Sequence, residues 1–226
     1  MPNVGVNPSL LLGTGLILGM RHAFDRDHVV AVTHFISMEP DPRKSAWFGF
    51  RWAFGHALAV LSLGSLILLL HLKLDPQFQR YAELTVGITL IALGIWRLVL
   101  LFQEHWHKHR HAHDAKMHTH IHSHDPSRNH VHRHAPTLVG LIHGASGTAE
   151  VFVLIPITLI QTTALAYLYI GLFSLGCAAT MSAYGYLAGR LYRGADQTGQ
   201  RIYQILVVLT SVSGLALGLV WILKNL

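Results

Sequence analysis

Residues 22 to 28 read His-Ala-Phe-Asp-Arg-Asp-His, and the chain on either side of them is apolar. Leu10 to Met20 come before and Val29 to Ile36 follow. His22, Asp27 and His28, with Arg21, Asp25 and Arg26, therefore fall near membrane depth. An Arg, Lys or Asp at a membrane helix centre costs about 2.5–3.5 kcal/mol on insertion scales. A bound partner offsets that cost, and imidazole with carboxylate suits a divalent transition metal. On an unbroken helix Asp27 lies about 140° from His22, and His28 about 120° the other way. Side chains spread that far cannot share one ion. Either the helix breaks near Met20–Arg21, or the three serve different partners. Broken helices are allowed where they line a cavity, and such breaks commonly build ion sites. The alternative is a first span that ends at Met20 with 21–28 solvated, which strands 29–37 as an apolar piece too short to cross.

Other polar groups interrupt later apolar runs. His56 stands in Phe-Gly-His-Ala-Leu-Ala-Val, where it serves as a metal ligand or as a hydrogen-bonding partner of a neighbouring helix. His143 and Glu150 are seven residues apart and so share a helix face. Glu150 precedes Val151 to Ile155 and needs a cation or a proton at that depth. Gly144 and Gly147 let helices approach closely. From 105 to 134 the chain holds twelve His in thirty residues, mostly as His-x-His. Such a stretch binds zinc, nickel, cobalt or copper without choosing among them, and it cannot pack a core. It reads as a disordered cytoplasmic buffer or sensor loop. His34 and His71 read as span-end residues without a role.

The elements that position these groups are membrane helices. The chain of 226 residues is 51% hydrophobic and 12% charged, with a mean hydropathy of +0.39. Six apolar runs, about 10–37, 46–70, 81–103, 137–161, 164–189 and 202–223, are each about the length that crosses a bilayer. The expected fold is all-α and polytopic, with the first helix broken at the metal motif. Met1 to Ser9 has no Lys or Arg, so Leu10 onward reads as a retained span and not as a cleaved signal. Alternate connections hold ten Lys and Arg against three, which places that richer set, and the His-rich loop, in the cytoplasm and both termini outside. The net charge of +6 is then a matter of topology and lipid contact, with no nucleic acid implied. Cys177 is alone and forms no internal disulfide.

The chain also resembles itself. A shift of 121 lays Gly19, His22 and Ala23 on Gly140, His143 and Gly144, and Gly55-His56-Ala57 on Gly176-Cys177-Ala178. A shift of 124 lays Ala92-Leu93-Gly94 on Ala216-Leu217-Gly218. The expected organisation is a three-span half at 1–103, the His-rich loop at 104–136 and a second half at 137–226. An odd number of spans per half inverts the second in the membrane, a common transporter design with its site near midplane.

Arg21-His-Ala-Phe-Asp-Arg-Asp-His28 resembles the His-x4-Asp-His signature of the nickel/cobalt transporter family. Phe54 to Val60 resembles that family's Gly-His element on the following span. Gly140 to Glu150 is similar to the His-Gly-x-x-Gly segment of the six-span urease-accessory-type permeases of the same superfamily. The resemblance implies that His22, Asp27 and His28 bind metal with His56 in support. His143, Glu150 and Asp25 complete the candidate set. The larger family has eight spans against six here, and the long His-rich loop is similar to that of six-span nickel/cobalt efflux proteins.

The expected function is therefore a bacterial inner-membrane permease for a divalent ion, nickel or cobalt, with zinc accepting the same donors. No enzymatic activity and no cofactor are expected, and a metallochaperone is a candidate partner at the His-rich loop. The competing readings are a nickel/cobalt efflux pump, a zinc/iron permease, a membrane-embedded di-iron enzyme and a pure metal sensor. Zinc/iron permeases carry paired His motifs in the fourth and fifth spans, and the fifth span here has no His. A di-iron enzyme needs near-contiguous His boxes, where this loop offers His-x-His. A sensor would lose its function with the loop. Because bound imidazoles must be neutral, uptake is expected to weaken below about pH 6.

Overall fold

The computed structural model describes residues 8–70, 75–106, 134–146, 157, 160 and 162–226. Their regular elements are all α-helices: α1 Pro8–His22, α2 Arg26–Met38, α3 Pro42–Leu70, α4 Pro76–Trp106, α5 Ala135–Gly144, α6 Thr163–Thr198 and α7 Gln200–Asn225. Two starts are written as Asp-Pro. Pro suits the first helical position because its missing N–H would have had no partner there. Asp41 accepts the backbone N–H of Arg43 and Lys44, each at 3.0 Å, and caps α3. Asp75 accepts that of Gln77 at 2.9 Å at the head of α4.

Four helices among the described residues are long and apolar enough to cross a membrane: Pro42–Leu70, Pro76–Gln103, Thr163–Thr198 and Gln200–Asn225. The first expected span, 10–37, is two half-helices. With 15 and 13 residues, α1 and α2 are each about 20 Å long, short of the roughly 30 Å of hydrocarbon. The fourth expected span, 137–161, opens as α5, and most of its remainder lies outside the described residues. So do the His-rich stretch 107–133 and His71.

The first helix does break at the motif, three residues later than the expected Met20–Arg21. The break is Ala23-Phe24-Asp25, tightened by Phe24 N–H to Arg21 O at 3.0 Å and Asp25 N–H to His22 O at 2.9 Å. Asp25 then takes the N-cap position of α2 with extended backbone, φ −59° and ψ 142°. Asp is a poor interior helix former, and here its side chain turns to His22 Nδ1 instead of capping α2.

Helices approach one another at glycines, and the approaches come in pairs. A Cβ on Gly19 of α1 would strike Phe173 O of α6, and one on Gly140 of α5 would strike Trp52 O of α3. Gly176 of α6 faces Leu16 O, and Gly55 of α3 faces Thr137 O, in the same way. Between α4 and α7, Gly94 faces Ser211 O and Gly218 faces Gly87 O. So α1 lies on α6, α5 on α3, α4 on α7, and α3 against α6. Trp52, Val32, Ile36, Leu90 and Met181 fill the centre. Ile17, Phe54, Leu175, Leu187 and Leu209 point outward, an apolar exterior that suits lipid.

Candidate metal site

The break in the first helix brings three imidazoles to one point. His22 is the last residue of α1, His28 lies on the first turn of α2, and His56 is on α3. All three are buried, and one nitrogen from each lies within 4.8 Å of the others. Ligands of one ion stand at most about 4.2 Å apart, twice a metal–nitrogen bond. A small rotation of the rings closes the difference. His22 Nε2 and His56 Nε2 are already 3.1 Å apart. The rings of His22 and His28 meet edge to face with centroids 4.5 Å apart.

The far nitrogens decide which lone pairs are free. His22 Nδ1 lies 2.9 Å from Asp25 Oδ2. His28 Nδ1 lies 3.1 Å from His22 O, and His143 Nδ1 lies 2.8 Å from Val139 O. Each of these oxygens can only accept, which favours the proton on Nδ1 and the lone pair on Nε2; that of His22 then accepts from His56 Nε2. A histidine whose other nitrogen is pinned by a carboxylate or a carbonyl is the usual form of a metal ligand. His143 Nε2 has no hydrogen-bond partner among the described residues, and its ring lies 5.8 Å from that of His28. A buried bare acceptor costs about 1–3 kcal/mol, which a bound cation would offset.

Trp52 forms the floor. Its ring lies 4.7 Å from His28, 5.7 Å from His143 and 5.3 Å from His56, stacked on the last at 29°. Phe173 sits 5.2 Å from His22 across the site. These aromatic walls exclude water from the imidazoles.

Of the expected ligand trio of His22, Asp27 and His28, the two imidazoles converge with His56. Asp27 is buried beside His28 with its Oδ2 3.5 Å from His28 Nε2, adjacent to the three-nitrogen cluster but not part of it. Asp25 lies with its Oδ2 against His22 Nδ1. Its side chain is 31% exposed, so this edge of the site opens outward. Glu150 lies outside the described residues. His34, read as a span-end residue, is fully buried in α2, with Nδ1 2.7 Å from Val30 O and its ring against Gly214 of α7. Sequence reasoning missed Trp52 and Arg97. Arg97 is fully buried on α4, and its signal was a lone charge inside an otherwise apolar run.

Comparison with known proteins fits this geometry. Residues 28–213 match the family described as the cytochrome C biogenesis protein transmembrane region. The chain belongs to that family. The match begins at His28, so α1 and the break before it lie ahead of it. Among curated relatives, the urease accessory protein UreH of Bacillus sp. (strain TB-90) is 28% identical over 191 residues, 79% of this chain and 76% of that protein. The nickel transporter NixA of Staphylococcus aureus (strain NCTC 8325 / PS 47) is 30% identical over 109 residues, 43% of this chain and 32% of that protein. These relatives bear out the resemblance to the nickel/cobalt permease superfamily first carried by the His22–His28 motif. No solved structure matches. The chain is a multi-pass membrane protein.

Proposed function

We propose that this protein is an inner-membrane permease for a divalent transition-metal ion, nickel or cobalt, whose path runs through the His22–His28–His56 cluster. The observation that carries the reading is the convergence of three buried imidazoles at a break in a membrane helix. Three nitrogens and a buried carboxylate suit nickel, cobalt and zinc alike. The name of the nickel transporter relative favours nickel among them. An ion leaving water on the exposed side of Asp25 sheds part of its hydration and takes Nε2 of His22, His28 and His56. His143 Nε2 stands next to His28 as a fourth donor, with Asp27 as the adjacent charge. Asp25 and Asp27 together balance a dication, which lowers the cost of holding it in the bilayer. Thiol–disulfide work would need two cysteines, and the chain has one.

The architecture we infer has six spans in two inverted halves. The α1–α2 pair is the first span, and α5 opens the fourth. The paired glycine approaches support this. Gly19 on Phe173 and Gly140 on Trp52 are the same contact displaced by 121, as are Gly176 on Leu16 and Gly55 on Thr137. Gly94 on Ser211 and Gly218 on Gly87 repeat at 124. These are the two offsets at which the sequence matches itself. In this reading the halves are 1–103 and 137–226, the His-rich loop at 104–136 is a cytoplasmic metal buffer that a metallochaperone can meet, and both termini face outside.

Uptake of radioactive nickel and cobalt into vesicles tests the reading. His22→Ala is expected to abolish uptake while the protein still inserts in the membrane. Uptake at the wild-type level in that variant overturns it.

A further inference from the structure

Arg97 is fully buried on α4, yet the site above makes no use of it. It reaches the far end of α2. Its Nε donates to Ser37 Oγ at 3.1 Å, and its Nη2 donates to Ser37 O at 3.0 Å and to Tyr203 OH at 2.9 Å. Tyr203, on α7, donates to the same Ser37 O at 2.6 Å. Ser37 Oγ passes its own proton to His34 O at 2.8 Å. Ser37 O is one of the last carbonyls of α2, which have no partner inside the helix and carry its negative end. A guanidinium and a phenol therefore cap α2 from two neighbouring helices. At the other end Asp25 makes no side-chain cap.

The two half-helices share α6, which α2 meets through Thr33 and Tyr184 at 2.5 Å, but their other anchors differ. Gly19 and Gly176 lock α1 onto α6. The cap ties α2 to α4 and α7, which are themselves held together at Gly94 and Gly218. The metal cluster lies where these bodies meet, with His22 on one and His28 on the other. His28 stands nine residues from Ser37, about 14 Å along a rigid rod.

Resting on the transport reading above, we propose that Arg97, with Tyr203, is a positioning residue for metal binding: by capping α2 at Ser37 it sets where His28 stands in the cluster and couples an ion held there to the α4–α7 pair.

Arg97→Met, Arg97→Lys and Tyr203→Phe test this in the full-length protein, with His28→Ala as reference. The probes are nickel uptake in vesicles and the visible spectrum of cobalt bound to the purified protein. Arg97→Met is expected to raise the nickel KM about 10–100-fold, the loss typical of groups that orient a metal ligand. Its cobalt spectrum should move toward that of His28→Ala, and the double variant should show little further loss. Arg97→Lys, which can still reach one acceptor, should recover part of the affinity. A merely structural role would lower the amount of working protein, and so Vmax, with KM and the cobalt spectrum unchanged; that result overturns the proposal. If Arg97→Met does not accumulate, a wild-type KM in both Arg97→Lys and Tyr203→Phe overturns it equally. Wild-type protein that binds no cobalt would overturn the transport reading first. Wild-type protein that binds it, beside Arg97 and Tyr203 variants that match it, overturns this inference alone.

Discussion

Replacing Gly140 by Ala tests the fold and the site together. In a helix interior this change should stabilise by about 1 kcal/mol through backbone propensity alone. Here the new methyl would run into Trp52 O and crowd the backbone nitrogen of His56 at 3.1 Å. Carbon and carbonyl oxygen settle at about 3.3–3.6 Å, so α5 must retreat from α3 by on the order of 1 Å. Overpacking of this kind costs about 1–3 kcal/mol, which outweighs the propensity gain. The retreat also carries His143 away from Trp52 and His28. A displacement of about 1 Å between groups that must act together costs on the order of 100-fold. Nickel uptake in vesicles, normalised to inserted protein, is therefore expected to fall by about that factor. Gly171→Ala is the control, because its Cβ meets nothing within 4 Å and it makes the same propensity change. Gly19→Ala should reproduce the defect between α1 and α6 and displace His22. If Gly140→Ala transports as well as Gly171→Ala, the close α3–α5 packing does not hold the site.

Three further outcomes are expected. Asp25→Asn keeps an acceptor for His22 Nδ1 but loses the charge, and nickel affinity by titration should drop about 10–100-fold with the protein still inserted; unchanged affinity would show that Asp25 does not orient His22. Protons and metal compete for the same imidazole lone pairs, so uptake should decline as the pH is lowered and recover on return; a profile that stays flat to the lowest pH the protein withstands counts against histidine ligation. Deleting 105–134 should leave vesicle uptake at saturating ion intact, because the donors that converge lie elsewhere; loss of all uptake would move the function to the loop.

The motif was legible because it breaks a membrane rule. Charges and imidazoles inside an apolar run advertise a site, and the angular spread of His22, Asp27 and His28 implied the break. Its position was not legible. Met20, Arg21 and His22 propagate α1 normally, and the turn comes at Ala23-Phe24-Asp25, which a periodicity count does not weigh. Periodicity also could not say which donors converge. His56 meets His22 and His28 because α3 runs beside the break, and Gly55 lets α5 close in on α3. The internal offsets of 121 and 124 were visible in the sequence as sparse Gly and His matches. Their meaning lies in which backbone each glycine faces, and that is a tertiary fact. Arg97 was overlooked because a single charge in a long apolar helix predicts burial without predicting a partner; Ser37 and Tyr203 come from helices 60 and 106 residues away.

The order of the two half-helices bears on why this site would hold a cation at all. At the break, the C-terminal end of α1 and the N-terminal end of α2 meet head to tail. The first carries about half a negative charge and the second about half a positive charge. An ion at the junction is drawn by α1 and repelled by α2, so the backbone alone is close to neutral toward it. Asp25 and Asp27 tip the balance, since both sit at the positive end of α2, where a carboxylate is favoured anyway. They cancel the repulsive half of the junction and leave the attractive half exposed. The same two residues orient His22 and flank His28. Neutralising either should weaken the site through the field as well as through geometry. Moving an acid to the end of α1 instead would meet that helix's own negative end and should not restore binding.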